Sequence, residues 1–186
     1  MMNIESRCRE MKIEDTIATV PDWPKKGVQF QDITPLLANG EAYEEAIAKM
    51  AEMAEEMGAD VIVGPESRGF MFACPVAYAI KKGFVPVRKK GKLPGETISY
   101  TYDLEYGTDV LYMRKDAIKK GQKVVVIDDI VAVGGTLNAA AKLIEQLGGE
   151  VAGMIALIGL TALPGVERLK KYNLHCLIYK DVKDEE

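Results

Sequence analysis

The chain has 186 residues, of which 48% are hydrophobic and 28% are charged, and its formal net charge is −4. This composition is typical of a folded globular protein, and the length favours one domain with a substantial core. The acidic balance disfavours nucleic-acid binding, because a phosphate backbone needs an excess of Lys and Arg. The longest apolar stretch, 151–163, is too short to span a bilayer, so no membrane association is expected.

Three cysteines, Cys8, Cys74 and Cys176, lie far apart in the chain, and none forms a CxxC motif. This spacing indicates reduced thiols and favours a cytoplasmic protein over a disulfide-bonded or zinc-binding one. We expect Cys74 and Cys176 to be small buried hydrophobic residues.

Helical and extended patterns alternate along the chain, which is typical of an α/β domain with a parallel sheet. A first helix is predicted over 3–15, and the stretch 20–37 is expected to be irregular because proline and glycine interrupt it. Apolar residues at three- and four-residue steps predict an amphipathic helix over 41–57, which ends at Gly58.

The rest of the chain follows a regular order of strands and helices. Strands are predicted at 60–64, 84–88, 123–127, 151–160 and 174–179, and helices at 69–82, 136–147 and 164–172. The long polar segment 89–108 is expected to be a lid or binding loop, with part of it, 98–102, in a β-ribbon. About five strands with intervening helices predict one doubly wound sheet, in which ligands bind at the carboxyl ends of the strands.

The segment 124–136 carries the strongest functional pattern. Four β-branched residues are followed directly by Asp128 and Asp129, and Gly134–Gly135 then precedes Thr136 at the predicted start of a helix. Consecutive glycines allow a tight turn whose N–H groups approach an anion, and the helix start adds further donors. The pattern predicts a phosphate-binding turn, preceded by carboxylates that can accept hydrogen bonds from sugar hydroxyls. A plain strand–turn–helix connection is the alternative, although two charges after a buried strand are costly without a purpose.

Two other segments bring positive charge to predicted strand ends. Ser67 and Arg68 open the helix that follows the first strand, where an anion is favoured. Arg88 begins a basic run, 88–92, that follows the second strand. These groups and the acidic pair could converge on one crevice, because parallel strands end at one edge of the sheet. Charge alone leaves open whether the basic run binds an anion or is a solvated surface.

The segment 124–136 resembles the binding signature for phosphoribosyl pyrophosphate (PRPP) in the type I phosphoribosyltransferases. The resemblance implies that Asp128 and Asp129 hold the ribose hydroxyls and that the turn after them binds the 5′-phosphate. The implied phosphate-binding residues are Ala132, Val133, Gly134, Gly135 and Thr136. The family usually has Thr where this chain has Val133, so one side-chain hydroxyl is absent here.

The segments 66–70 and 88–95 resemble the adenine phosphoribosyltransferase branch of this family in particular. In that branch the Ser–Arg pair and the basic run serve the pyrophosphate of PRPP. The implied pyrophosphate contacts are Ser67, Arg68, Arg88 and Lys92. Mg²⁺ is also implied, held through PRPP with no direct protein ligand, because the leaving group carries several negative charges.

The segment 99–107 resembles the mobile hood of the same branch, although by itself it would be interpreted as a hairpin that binds nothing. The resemblance implies that Glu105 is the general acid/base at the purine ring. It also implies that Tyr106 and Lys92 help to fix the closed lid, which excludes water from the reacting sugar.

The stretch 21–37 resembles the base-binding region of the branch. There an aromatic residue, here Phe30, stacks on the base, and the adjoining backbone reads the edge of the base. The implied purine contacts are Gln29, Phe30 and Gln31, and a purely structural role for Phe30 is the alternative. Gln31 stands where relatives often have Arg or Lys, and Ala18 where Arg is common. Hypoxanthine, guanine or xanthine is therefore an alternative substrate to adenine.

The resemblance covers roughly residues 17–180. It implies a single-domain type I phosphoribosyltransferase fold, with a mostly parallel sheet flanked by helices. A small N-terminal hood is implied at about 1–37 and a flexible β-ribbon lid at about 89–108. The implied activity is purine salvage by a homodimer that makes AMP and pyrophosphate from adenine and PRPP. A PRPP-binding regulator is the other alternative, and it is disfavoured because the chain is acidic and retains Glu105.

Overall fold

The computed structural model describes residues 12–103 and 108–182. These residues belong to two compact units, one within 12–46 and the other within 47–182. In the described part of the chain, no helix is both long enough and apolar enough to cross a membrane.

The first unit contains a small hairpin and a short helix. A 3₁₀ turn, Ile13–Thr16, precedes the paired strands β1 (Ala18–Val20) and β2 (Phe30–Asp32), and α1 (Thr34–Ala38) follows them. The predicted helix over 3–15 is represented only by the 3₁₀ turn, because residues 3–11 lie outside the described residues.

The stretch 20–37, which was predicted to be irregular, contains β2 and most of α1. Asp32 explains where α1 begins, because its carboxylate accepts hydrogen bonds from the Thr34 N–H at 2.9 Å and the Thr34 hydroxyl at 2.9 Å. A carboxylate in this position satisfies donors that the first turn of a helix leaves without partners.

Helix α2 (Gly40–Glu56) confirms the predicted amphipathic helix. Buried residues recur at four-residue steps along it, and glutamates occupy most of its exposed positions. The buried series is Ala42, Ala46, Met50 and Ala54. Gly58 follows two residues after the end of the helix, and its φ of +70° suits a residue without a β-carbon.

The second unit is built on a seven-stranded sheet. Its elements are β3 (Val61–Pro65), α3 (Arg68–Ala79), β4 (Gly83–Lys89), β5 (Thr97–Asp103), β6 (Thr108–Arg114), β7 (Lys123–Val131), α4 (Gly135–Gln146), β8 (Glu150–Leu160), α5 (Gly165–Leu169) and β9 (Leu174–Lys180). The strand order is β5-β6-β4-β3-β7-β8-β9. The five strands from β4 to β9 in this order are parallel, and β6 and β5 add an antiparallel ribbon beside β4. This arrangement confirms the doubly wound sheet and the predicted ribbon.

Strand β7 explains why the sheet has helices on both faces. Val124 and Val126 belong to the hydrophobic cluster that includes Leu137 and Ile144 of α4. Val125, which alternates with them, points to the opposite face, because successive side chains of a strand point to opposite faces. All these side chains are fully buried or nearly so, as expected for a central parallel strand.

Two features of the sheet differ from the prediction. Strand β6 was not predicted, although its Leu111 and Met113 are buried in the core. Strand β7 continues four residues beyond the predicted end, through the acidic pair, because Ile130 and Val131 still pair with β8. The two acids therefore lie within a strand and not after it.

The expectation for Cys74 was wrong and that for Cys176 is confirmed. Cys176 is buried in β9, whereas Cys74 is exposed on α3. The helical repeat explains this result, because Phe72, Ala73 and Val76 occupy the inward face of α3. Cys74 instead lies among exposed residues of the helix, which form its outer face: Met71, Cys74 and Tyr78.

Candidate active site

The winding of the sheet reverses between the neighbouring strands β3 and β7. From β3 the chain passes through α3 to β4 on one side, and from β7 it passes through α4 to β8 on the other. Connections that leave in opposite directions open a crevice at the carboxyl ends of the two strands, where ligands bind in this class of fold. Residues 66–69 and 128–136 occupy this position.

Asp128 and Asp129 lie in the second half of β7, where they are 8% and 3% exposed. Asp128 Oδ1 accepts a hydrogen bond from the Asp129 N–H at 2.9 Å. Asp129 Oδ2 lies 2.9 Å from Arg68 Nε, an ion pair that lacks hydrogen-bond geometry. Among the described residues, this buried oxygen therefore accepts no hydrogen bond. Such an acceptor is suited to a ligand hydroxyl.

Burial controls the ionisation of the acidic pair. Burial, followed by the nearby charge of Asp129, raises the pKa of Asp128 well above its usual range. Burial also raises the pKa of Asp129, and the positive charge of Arg68 opposes this shift. Arg68 therefore favours the ionised form of Asp129, which is the form that accepts two hydrogen bonds at each oxygen.

The turn between β7 and α4 has the geometry of an anion-binding turn. Gly134 has a φ of +80°, in the left-handed region, and it immediately precedes α4. No side chain caps the helix at this residue. The N–H groups at the start of α4, those of Gly135 and Thr136, have no intrahelical acceptor and lie at the positive end of the helix dipole. This arrangement fits the predicted 5′-phosphate site.

Helix α5 braces the same turn from behind. The Gly165 N–H donates to the Ala132 carbonyl at 2.9 Å. Arg168 Nη1 donates to the Val133 carbonyl at 3.2 Å. A β-carbon on Gly165 would lie 2.2 Å from the Ala132 oxygen, so only glycine fits at this contact. The backbone of the turn is thus held by two donors and by close packing.

Ser67 and Arg68 lie at the start of α3, directly after β3, as the sequence predicts. The ion pair between Arg68 and Asp129 brings a predicted pyrophosphate residue into contact with a predicted ribose residue. The two segments are separated by about sixty positions in the sequence, and the switch in sheet winding is what joins them.

The basic run after β4 lies beside the same strand end. Arg88 pairs with Glu66, which directly follows β3, through an Nε–Oε2 distance of 2.5 Å. Lys92 is exposed in the turn after β4, and its positive charge contributes to the lowered pKa of Glu66. Arg88 and Lys92 are therefore close to the carboxyl end of β3, as expected.

The β5–β6 ribbon contacts both the basic run and the turn after β7. Lys89 Nζ lies 3.2 Å from Asp109 Oδ2, and the Tyr102 hydroxyl lies 3.5 Å from the same oxygen. Burial raises the pKa of Tyr102, and the interaction of its hydroxyl with the Thr136 side chain opposes this shift. Glu105 and Tyr106 lie outside the described residues, between these two strands.

The predicted purine-binding residues belong to the first unit. Phe30 is half-buried, and Trp23 contacts it edge-on with ring centroids 4.3 Å apart. Gln31 is 2% exposed, and its side chain hydrogen-bonds with the Gln29 carbonyl at 3.0 Å and the Thr19 hydroxyl at 3.2 Å. The Gln31 side chain therefore stabilises the β1–β2 hairpin.

The described residues contain no cluster of three or more His, Cys, Asp or Glu that could hold a metal ion. The acidic pair offers carboxylate oxygens at the crevice, and Glu66 adds another carboxylate that is paired with Arg88. Mg²⁺ commonly takes one or two carboxylates together with substrate phosphates, so the residues present fit a metal that arrives with its substrate.

A model of the phosphoribosyl transferase domain matches residues 33–185 of this chain. An adenine phosphoribosyltransferase from Clostridium perfringens is 52% identical over 172 residues, which cover 92% of this chain and 100% of the relative. The chain belongs to the adenine phosphoribosyltransferase family. It is therefore a transferase of the glycosyltransferase type, and the predicted family is confirmed.

Solved structures of adenine phosphoribosyltransferases confirm the fold. The enzyme from Thermoanaerobacter pseudethanolicus is 50% identical with a TM-score of 0.87, over 90% of this chain and 98% of that chain. The enzyme from Giardia lamblia, complexed with 9-deazaadenine, is 32% identical with a TM-score of 0.86, over 92% of this chain and 99% of that chain.

The sequence patterns missed the residues that support the site from outside it. Glu66 stood inside a recognised segment and was given no role. Tyr102 was treated as part of a ribbon and Asp109 lay in no predicted segment, because their mutual contact depends on the register of β5 and β6. Gly165 had no local signal, because its importance comes from packing against a turn thirty positions earlier.

Proposed function

We propose that this adenine phosphoribosyltransferase family member transfers the 5-phosphoribosyl group of PRPP to adenine, giving AMP and pyrophosphate in purine salvage. The contact between Arg68 and Asp129 carries the proposal. It joins a cation suited to pyrophosphate with a carboxylate suited to ribose, beside a turn suited to phosphate. These three groups match the three parts of PRPP.

Each segment has a distinct task in the reaction. Asp128 and Asp129 accept hydrogen bonds from the ribose hydroxyls, and the turn 132–136 donates to the 5′-phosphate. Ser67, Arg68, Arg88 and Lys92 bind the pyrophosphate. Binding all three parts fixes C1 of the sugar in line with the attacking purine nitrogen.

Bond formation at C1 requires the bond to pyrophosphate to break and the purine to lose a proton. Positive side chains stabilise the negative charge that develops on the leaving group. We propose Glu105 as the general acid/base at the purine ring, with Tyr106 in the lid that covers it. Mg²⁺, when bound with PRPP, neutralises part of the pyrophosphate charge.

Adenine is the proposed base, with Gln29, Phe30 and Gln31 as its contacts. The half-buried ring of Phe30 offers a stacking surface. The relative from Giardia lamblia was crystallised with 9-deazaadenine, which supports a 6-amino purine. Comparing turnover of adenine, hypoxanthine, guanine and xanthine tests this choice. Turnover of a 6-oxopurine without turnover of adenine would overturn it.

We further propose that the chain is one phosphoribosyltransferase domain whose hood lies at about 1–37 and whose lid lies at about 89–108. The free thiols of Cys74 and Cys176 support a cytoplasmic location.

A homodimer is proposed as the working assembly. The outer face of α3 supports this, because Tyr78 is 88% exposed and Met71 is 41% exposed. Exposed apolar surface of this kind commonly marks an interface between proteins. Light scattering after gel filtration should give twice the chain mass, and Tyr78→Glu should give the monomer. A monomeric wild-type protein would contradict the proposal.

Formation of AMP from adenine, PRPP and Mg²⁺ tests the reaction itself. Glu105→Gln should reduce kcat strongly, by about 10² to 10⁴-fold, while the protein stays folded. Asp129→Asn should mainly raise the KM for PRPP. Glu145→Gln is the matched control, because Glu145 lies near the end of α4, away from the phosphate turn, and pairs with Lys142 at the surface. Full activity of both test variants would remove the assigned roles.

A further inference from the structure

Glu66 places a carboxylate beside a site proposed to bind pyrophosphate. It directly follows β3, next to Ser67 and Arg68, and its side chain is only 15% exposed. A carboxylate in such a place repels an anionic ligand unless its own charge is engaged by a cation. Its presence therefore calls for a physical reason.

The partners of Glu66 supply that reason. Oε2 accepts a hydrogen bond from Arg88 Nε at 2.5 Å and another from the Lys89 backbone N–H at 3.1 Å. Burial opposes ionisation of Glu66, but these hydrogen bonds and the positive charges of Arg88 and Lys92 outweigh burial and lower the pKa of Glu66. The carboxylate is thus ionised and bound to the end of β4.

The contact with Glu66 leaves part of the Arg88 guanidinium available to an anion. A guanidinium has five N–H donors in a planar fork, and Glu66 uses only Nε. The four donors on Nη1 and Nη2 lie outside this contact, and the edge that joins these two nitrogens can bind a phosphate in bidentate fashion. The ring of Phe70 supports the guanidinium from its face, with Cζ 5.7 Å from the centroid, and Phe84 packs edge-on against Phe70.

We propose that Glu66 is a positioning residue that presents the Arg88 guanidinium to the pyrophosphate of PRPP. The proposal rests on the proposed role of Arg88 as a pyrophosphate ligand. A guanidinium held by a carboxylate on one edge and a ring on one face loses less freedom when the ligand binds. Glu66 therefore strengthens anion binding although it carries negative charge itself.

Positioning, strand tethering and charge repulsion by Glu66 predict different results for Glu66→Gln. If Glu66 only ties β3 to β4, affinity is unchanged, because an amide oxygen still accepts from the Lys89 N–H. If Glu66 mainly repels the ligand, removal of its charge tightens binding. Positioning predicts that magnesium pyrophosphate binds about tenfold more weakly, because a neutral amide holds the guanidinium less firmly than a carboxylate does.

Calorimetric titration of the purified protein with magnesium pyrophosphate distinguishes these three roles. The variants are Glu66→Gln, Arg88→Ala and the double variant, with Glu145→Gln as the control. Glu145 likewise pairs with a basic side chain, that of Lys142, at the surface of α4. Glu145→Gln therefore makes the same change in charge away from the crevice. We expect the double variant to bind as weakly as Arg88→Ala alone, because Glu66 acts through Arg88.

Three results would overturn the proposal. Equal or tighter binding by Glu66→Gln rejects positioning, and so does a double variant whose losses multiply. Unchanged binding of magnesium pyrophosphate by Arg88→Ala would show that Arg88 does not contact the pyrophosphate. Formation of AMP by the wild-type protein tests the proposed reaction independently of this result. In steady-state assays, Glu66→Gln should raise the KM for PRPP about tenfold and change kcat little.

Arg88→Lys keeps the test valid if Glu66→Gln does not fold. A lysine has a single ammonium group in place of the planar guanidinium. Glu66 would hold that group, so it would no longer contact the pyrophosphate. We therefore expect Arg88→Lys to bind magnesium pyrophosphate nearly as weakly as Arg88→Ala. Binding equal to that of the wild-type protein would overturn the proposed geometry.

Discussion

Gly165→Ala should damage phosphate binding without touching the ligand. A β-carbon on Gly165 would lie 2.2 Å from the Ala132 oxygen and 2.7 Å from the Gly134 nitrogen. Ordinary van der Waals contact begins at 3.4 Å, so the turn has to move by about 1.2 Å. Gly165 does not have a positive φ, so the substitution adds no backbone strain of its own.

The magnitude follows from two effects. Overpacking costs about 1–3 kcal/mol, and weakening the 2.9 Å bond from the Gly165 N–H to the Ala132 carbonyl costs about 0.5–1.5 kcal/mol more. We expect the free energy of unfolding to fall by about 2–4 kcal/mol. A displacement near 1 Å at a binding turn should lower kcat/KM for PRPP by about 10²-fold.

Gly40→Ala is the matched control, because a β-carbon there meets nothing within 4 Å. Urea unfolding gives the loss of stability, and initial rates at varied PRPP concentration give kcat/KM. We expect a large effect on kcat/KM at temperatures where the Gly165→Ala protein is fully folded. A folded Gly165→Ala protein with the wild-type KM for PRPP would refute the bracing role of α5.

Three smaller changes test the same site. Asp128→Asn should stabilise the fold by about 1–3 kcal/mol at neutral pH while it reduces activity, because it removes a buried carboxylate. Because the pKa of Asp128 is raised in the folded wild-type protein, Asp128 holds a proton there at pH values where the unfolded chain has lost it. The stability of the wild-type protein therefore falls as the pH rises from about 4 through the pKa of the folded state. The advantage of Asn should therefore grow over this pH range in urea unfolding, and equal stability at every pH would contradict the expectation. Val133→Thr should lower the KM for PRPP by roughly two- to fivefold, since it adds a hydroxyl donor to the phosphate turn, and an unchanged KM in PRPP saturation curves would count against that turn. Tyr102→Phe should raise the same KM by roughly two- to tenfold, because it removes the hydroxyl that interacts with Thr136, and unchanged kinetics would show that this interaction is unimportant.

The parallel strands were predictable because each has a strong local signal. Val124 to Ile127 are β-branched and uninterrupted, and a run of this kind has few alternatives to a buried strand. The crevice was also predictable, since polar groups that follow parallel strands must meet at one edge. Pairing of Arg68 with Asp129 follows from that geometry and not from either local sequence.

Other features depend on pairing and packing that a local pattern does not contain. The end of β7 was misplaced because Asp128 and Asp129 suggest a loop, whereas pairing with β8 continues to Val131. Strand β6 was missed because its identity depends on β4 and β5 as partners. Cys74 was misplaced because cysteine is usually buried, while the helical repeat turned this one outward.

The pairing of Arg68 with Asp129 and of Arg88 with Glu66 also affects which solutes the crevice selects. Each guanidinium is already paired with a carboxylate before an anion arrives. The negative charge of the carboxylate therefore largely cancels the attraction between the guanidinium and the anion. A solute gains most when it offers hydroxyl donors to the acids and phosphate acceptors to the bases at the same time. Inorganic polyphosphates and nucleic-acid backbones provide only the second of these, so we expect them to bind more weakly than a solute that provides both.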